Sequence, residues 1–117
     1  MKFVLLIYQG TTPLPGSDRW QALPAVDQQA IYADYAHVNG TAGVTPGLPL
    51  GMPKAAVTVQ IRDGKPQMKS GTYLTEGVGG YFVLEAESIE AAVALASRIP
   101  AARLGGAVEI RPAEQYW

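Results

Sequence analysis

The chain has no cysteine, which excludes disulfides, thiolate metal sites and cysteine nucleophiles together and fits a reducing, cytoplasmic setting. It has a single histidine, His37, and its carboxylates are scattered, so no coordination set for a metal forms and no cofactor is expected. Charge is scarce and balanced: nine Lys and Arg against ten Asp and Glu leave a net charge of -1, with no run of either sign. That pattern offers no footprint for nucleic acid. Long apolar runs are missing too. Lys2 followed by Phe3-Val4-Leu5-Leu6-Ile7 superficially resembles a secretion signal, but the run is too short and no small-residue cleavage site follows. Nothing approaches the ~20 apolar residues of a spanning helix, so no membrane is expected as a partner.

What is present is enough for one domain over residues 1–117. A chain of 117 residues buries roughly two-thirds of its unfolded surface, sufficient for a core without staples. Its organising stretch runs from Gly79 to Pro112. After the Gly79-Gly80 turn, Tyr81-Phe82-Val83-Leu84-Glu85-Ala86 is apolar on both faces of a pleat, as a central strand requires. Ser88 reads as an N-cap, and Ile89, Ala92, Val93 and Ala96 then recur at helical spacing until Pro100 forbids continuation. Gly105-Gly106 turns the chain into the alternating strand Ala107 to Arg111, closed by Pro112.

The first half repeats the plan. Lys2 to Tyr8 is a second continuous apolar strand and the natural neighbour of Tyr81 to Ala86. Gln9 to Gln21 reads as a loop, with Trp20 either pinning it to the core or lining a pocket or partner surface. Pro24 opens a helix to about Asn39, with Ile31, Tyr35, Val38 and Ala42 on one face and Tyr32 on the flank. Val44 to Lys54, with three prolines, reads as an irregular connection skirting a sheet edge. Ala55 to Arg62 alternates, Val57, Val59 and Ile61 against Thr58, Gln60 and Arg62, and the Asp63-Gly64 turn returns Lys65 to Ser70 as a short strand. A loop from Gly71 to Val78 carries Tyr73, Thr75 and Glu76, and the tail ends in the aromatic pair Tyr116-Trp117, expected to dock.

The order β-α-β-(short β)-β-α-β predicts an α+β fold: a ferredoxin-like four-stranded antiparallel sheet with two helices on one face. The other face then has no cover. An apolar face of that size predicts a partner, most simply a second copy packed sheet to sheet.

Candidate chemistry sits in two places. His37 and Asp34 are one helical turn apart, close enough for a carboxylate to orient an imidazole, but the wheel turns His37 away from the apolar face. The stronger set is expected on the open sheet face: Thr58, Gln60 and Arg62 from one strand, Glu109 and Arg111 with Ala107 from the last, and Tyr81. Such groups in an apolar cavity have the build of a small-molecule site. An interfacial salt bridge of Glu109 with Arg111 or Arg62 explains the same residues equally well.

Four stretches carry a family resemblance: Met1 to Tyr8, Gly79 to Ala86, Ala96-Ser97-Arg98-Ile99-Pro100-Ala101-Ala102, and Val108-Glu109-Ile110-Arg111-Pro112. They resemble the YCII-related family, in its DGPF-domain branch. The resemblance implies a dimeric α+β barrel, hence a homodimer through the sheet face. It also implies a departure: Ser70-Gly71-Thr72-Tyr73 stands where that branch has Asp-Gly-Pro-Phe, so the motif's carboxylate is gone. A histidine found in the first helix of relatives aligns near Tyr32, so His37 inherits no role. Three functional readings follow from the resemblance. One is a small-molecule-binding or accessory domain. Another is a lyase or isomerase on a lactone-like or small carboxylate substrate, with Glu109 or Tyr81 moving a proton and Arg111 or Arg62 holding a carboxylate. The third is an interaction module associated with sigma factors.

Overall fold

The computed structural model describes residues 1–75 and 77–116; Glu76, expected in a loop, and Trp117, expected to help dock the tail, lie outside the described residues. The first strand, β1 (Lys2–Tyr8), alternates between two different surroundings: Phe3, Leu5 and Ile7 are buried, while Val4, Leu6 and Tyr8 are half-buried on the opposite face. Where a loop was predicted, a short helix α1 (Asp18–Ala22) forms. Ser17 caps it, its Oγ accepting from the Trp20 N–H at 3.2 Å, and Asp18 suits the first turn. Trp20 is buried and meets Tyr32 edge to face, ring centroids 5.2 Å apart, which fastens this segment to the next helix.

That helix, α2 (Ala25–Gly40), follows Pro24 and buries Ile31 and Val38, with Tyr35 partly covered, as the spacing predicts, whereas Ala42, expected on the same face, lies beyond the helix end and is exposed. The segment a short turn beyond the helix supplies a correction. Val44–Pro46 form a strand, β2, although proline-rich sequence argues for irregularity; Pro46 is tolerated because the strand lies at a sheet edge. The alternating strand β3 (Val57–Arg62) and its return β4 (Lys65–Ser70) form a hairpin about Asp63 and Gly64, both at positive φ (51° and 74°). This hairpin is a separate two-stranded sheet. Val57, Val59 and Ile61 therefore do not face the helices, and all three are exposed. Alternation reports that one face of a strand needs cover; it does not say what provides it.

The chain rejoins the main sheet with β5 (Val78–Glu85), so Gly79 and Gly80 lie inside the strand rather than in a turn before it. Helix α3 (Ile89–Ala96) is capped by Ser88, whose Oγ accepts from the Ala91 N–H at 3.2 Å. Its buried face is Ala92, Leu95 and Ala96; Ile89 and Val93 are exposed, so the expected stripe is rotated. A helical turn at Pro100–Ala102 leads to the last strand, β6 (Ala107–Pro112).

The main sheet is antiparallel in the order β2-β5-β1-β6, the ferredoxin-like arrangement with β1 and β5 in the middle. Both α2 and α3 pack on one face. Phe3, Leu5, Ile7, Phe82 and Leu84 of the sheet meet Val38, Ala92, Leu95, Ala96 and Ile99 there. The opposite face carries Val4, Leu6, Tyr81, Val83, Ala107, Glu109 and Arg111. Among the described residues no helix is long and apolar enough to cross a membrane.

Candidate functional site

A concavity lies at the sheet end where β1 leaves and β5 enters. Beyond β2 the chain stays extended along β5, with Gly47 N–H donating to the Tyr81 carbonyl (3.0 Å) and Leu50 N–H to the Gly79 carbonyl (2.9 Å). Between this Pro46–Pro49 segment and α2 is a cavity of about 240 Å³, lined by Ile7, Leu48 and Phe82 as apolar wall and by Gln9, Tyr35 and Asn39 as polar groups. A second cavity of about 470 Å³ shares Gln9, Pro49 and Gly79 with it and continues past Leu14, Leu50 and Met52 to Pro53. Gln9 therefore stands at the junction. The larger cavity falls within the size of ordinary ligand sites, and the residues on both are mostly apolar with few polar groups.

Local chemistry makes the junction unusual. Gln9 is the first residue past an apolar strand, and its backbone carbonyl accepts from the Thr12 N–H at 2.9 Å, holding the turn. Its side chain shares the cavity wall with Tyr35. Burial raises the Tyr35 pKa above the ordinary phenol value, and the neighbouring Gln9 amide opposes that rise by favouring the phenolate. The Gln9 Oε1 is shut off from solvent and has no hydrogen-bond partner among the described residues, and the same holds for Thr12 Oγ1. A buried amide oxygen without a donor costs on the order of 1–3 kcal/mol, so a turn of the Gln9 amide that brought Oε1 into the cleft would bind an N–H or O–H with advantage. Gly80 adds room: a Cβ there would find its nearest neighbour, Ile7 Cδ1, 3.8 Å away. Among the described residues no charged side chain lines either cavity.

The structure divides the residues singled out from sequence. Tyr81, Glu109 and Arg111 do share the open face. Leu6 pairs with Tyr81 on one side and Glu109 on the other, which separates those two by two strand spacings, roughly 10 Å. Glu109 lies 3.7 Å from Arg111, both substantially exposed. Thr58, Gln60 and Arg62 were expected beside them and are instead on the hairpin. There Thr58 Oγ1 donates to the Gly71 carbonyl (2.8 Å), and Arg62 lies 3.4 Å from the Gln60 amide oxygen. Their strand reached a different sheet because β2 already occupies the edge beside β5. Asp34 pairs with Arg103, and no hydrogen bond or ion pair joins it to His37, which is exposed. Sequence reasoning missed Gln9 and Asn39 and read Tyr35 only as core. The available signal was the four-residue spacing of Tyr35, half-buried, and Asn39, exposed, which sets two polar-tipped residues on one stripe of the helix.

Fold and site thus define a small α+β domain of ferredoxin-like topology, with a cleft on its helix side that no charged side chain lines among the described residues. The chain belongs to the YCII-related domain family, whose model matches residues 1–115. No curated protein matches it.

Proposed function

We propose that this YCII-related protein is a small-molecule-binding domain of the DGPF-like branch, acting as a homodimer closed over its open sheet face. The ligand is a small, uncharged, mainly apolar compound bearing an N–H or O–H. The observation that carries the ligand reading is the buried Oε1 of Gln9, unpaired among the described residues, at the junction of two cavities that no charged side chain of the described residues lines. A carboxylate would enter that cleft without a cation to meet it, at a large desolvation cost. The half-covered apolar residues Val4, Leu6 and Val83 on the sheet's free face support the dimer.

The test is thermal unfolding against small lactams, phenols and hydroxylated lactones, each beside its carboxylate counterpart, with mass in solution followed in parallel. A ligand at a hundred times its dissociation constant stabilises by about 2.7 kcal/mol, an easily read shift. We expect saturable shifts from the uncharged donors alone, abolished by Gln9→Leu and weakened by Gly80→Ala. Shifts that favour carboxylates and vanish with Arg111→Ala would move the site to the sheet face. No shift from any compound would sink the binding reading.

A further inference from the structure

The two cavities of the cleft have a wall in common. Gln9, Pro49 and Gly79 line both, and the segment that carries Pro49 is fastened to β5 through the Gly47 and Leu50 N–H groups on either side of it. Pro46, Pro49 and Pro53 stiffen the same segment, each with its φ locked by the ring. The wall is therefore formed before any ligand arrives, as in most small-molecule sites.

The two chambers differ in what they offer. The smaller, about 240 Å³, sets the α2 side chains Tyr35 and Asn39 beside Gln9. The larger, about 470 Å³, is walled by Leu14, Leu50, Met52 and Val78, with Thr75 the one polar side chain besides Gln9 among the described residues. Since a cavity of about 150 Å³ holds benzene, the smaller chamber takes a head of one ring, and such a head leaves the larger one unfilled. Leu50 and Met52 are 49 and 52% exposed. About half of each apolar side chain thus lies open to water, and an alkyl chain would cover it.

The junction depends on a missing side chain. Gln9 lies across Gly79 so closely that a Cβ on Gly79 would fall 2.5 Å from Gln9 Cγ and 2.7 Å from its Nε2. The glycine lets Gln9 rest against the strand, and a methyl group there would push the amide outward and narrow the junction.

We infer that the two cavities act as one elongated site, whose ligand is a neutral hydrogen-bonding head carrying a slim, unbranched apolar tail. The head lies against Tyr35 and Asn39, and the tail passes Gln9 over Gly79 into the chamber walled by Leu50 and Met52. This rests on the cleft-binding reading above and adds to it the length, shape and direction of the ligand. Gly79 sets the width of the passage, and Leu50 limits the reach of the tail.

The test is calorimetric titration of the full chain with phenol and its para-ethyl, para-n-butyl and para-n-hexyl derivatives. Each methylene buried should tighten binding about fourfold until the larger chamber is full. The isomer para-tert-butylphenol has the carbon count of the n-butyl compound but is too broad for the junction. It should bind at least ~10-fold more weakly than that compound, the loss of about two buried methylenes. Leu50 lies outside the buried core, so Leu50→Trp should leave phenol binding unchanged while abolishing the gain from longer chains. Unchanged phenol binding also reports that the variant is folded, and Met52→Trp repeats the test from a second wall position. Gly79→Ala should lower the ratio of hexylphenol to phenol affinity. Phenol binding that ignores chain length would confine the ligand to one chamber and overturn the inference, leaving the cleft reading intact. A chain-length gain equal for the two butyl isomers and indifferent to Leu50→Trp would place the tail on an outer apolar surface and overturn it as well. No binding by any member of the series would overturn both readings.

Discussion

Asp34 on α2 and Arg103, just past the Pro100–Ala102 turn, form a charged hydrogen bond across 69 residues of sequence. The contact ties the first half of the molecule to the second. It also occupies the carboxylate that sequence spacing offered to His37. Because the arginine is 45% exposed, water and salt screen the pair. Arg103→Ala should cost no more than about 1 kcal/mol in denaturant unfolding, with the loss shrinking in high salt. His37→Ala should leave both stability and ligand response unchanged. A large effect of His37→Ala on binding would restore the dyad.

The turn after β1 depends on a glycine that a methyl group would break. Gly10 sits at φ +55°, and a Cβ there would lie 2.1 Å from the backbone carbonyl oxygen of Gly105. Backbone cannot swing aside as a side chain can, so Gly10→Ala should destabilise by more than about 2 kcal/mol. Gly16 is the control, since its φ is +88° with nothing within 4 Å of a Cβ. Gly16→Ala should cost only the left-handed strain, about 1–2 kcal/mol. Equal losses from the two would show that the Gly105 contact does not matter.

The rotated face of α3 gives a second contrast. Leu95 is buried in the core, whereas Ile89 is 40% exposed. Leu95→Ala should cost about 2–5 kcal/mol, and Ile89→Ala less than about 1 kcal/mol, because alanine's better helix propensity offsets part of the lost contact. Unfolding curves showing the reverse order would return the buried face to Ile89 and Val93.

Tyr35 links the cleft to alkaline stability. Its pKa is raised by burial, less the opposing effect of Gln9, so the folded protein holds the phenol proton more tightly than the unfolded chain does. The stabilisation is complete below the unfolded phenol value near pH 10 and is lost as pH rises from there through the folded pKa. Tyr35→Phe should therefore flatten the decline of melting temperature above about pH 10. Identical alkaline profiles for the two proteins would mean that other groups govern the decline.

Much of the architecture was legible because its signals are local. A strand apolar on both faces announces a central place, and this located Lys2–Tyr8 and the Tyr81–Glu85 segment correctly. Ser88 and Pro24 marked helix starts because caps and proline geometry act within one turn. The alternation of Val57, Val59 and Ile61 correctly indicated an amphipathic strand but left its neighbour open. The cleft was the least legible feature. Gln9 and Asn39 are unremarkable in sequence, and their significance arises only when a strand end, a helix and an extended segment converge.

Two strand-helix-strand halves, the central strand pair and family membership could be read from the chain alone, because periodicity, capping and turn chemistry depend on neighbours a few residues away. Three things depended on the folded whole: that β2 takes the sheet edge, that the hairpin forms a sheet of its own, and that no charged side chain lines the cleft beside Gln9 among the described residues. Each is a competition between segments distant in the chain for the same edge or space, and burial and hydrogen bonding settle it only once the whole chain has folded.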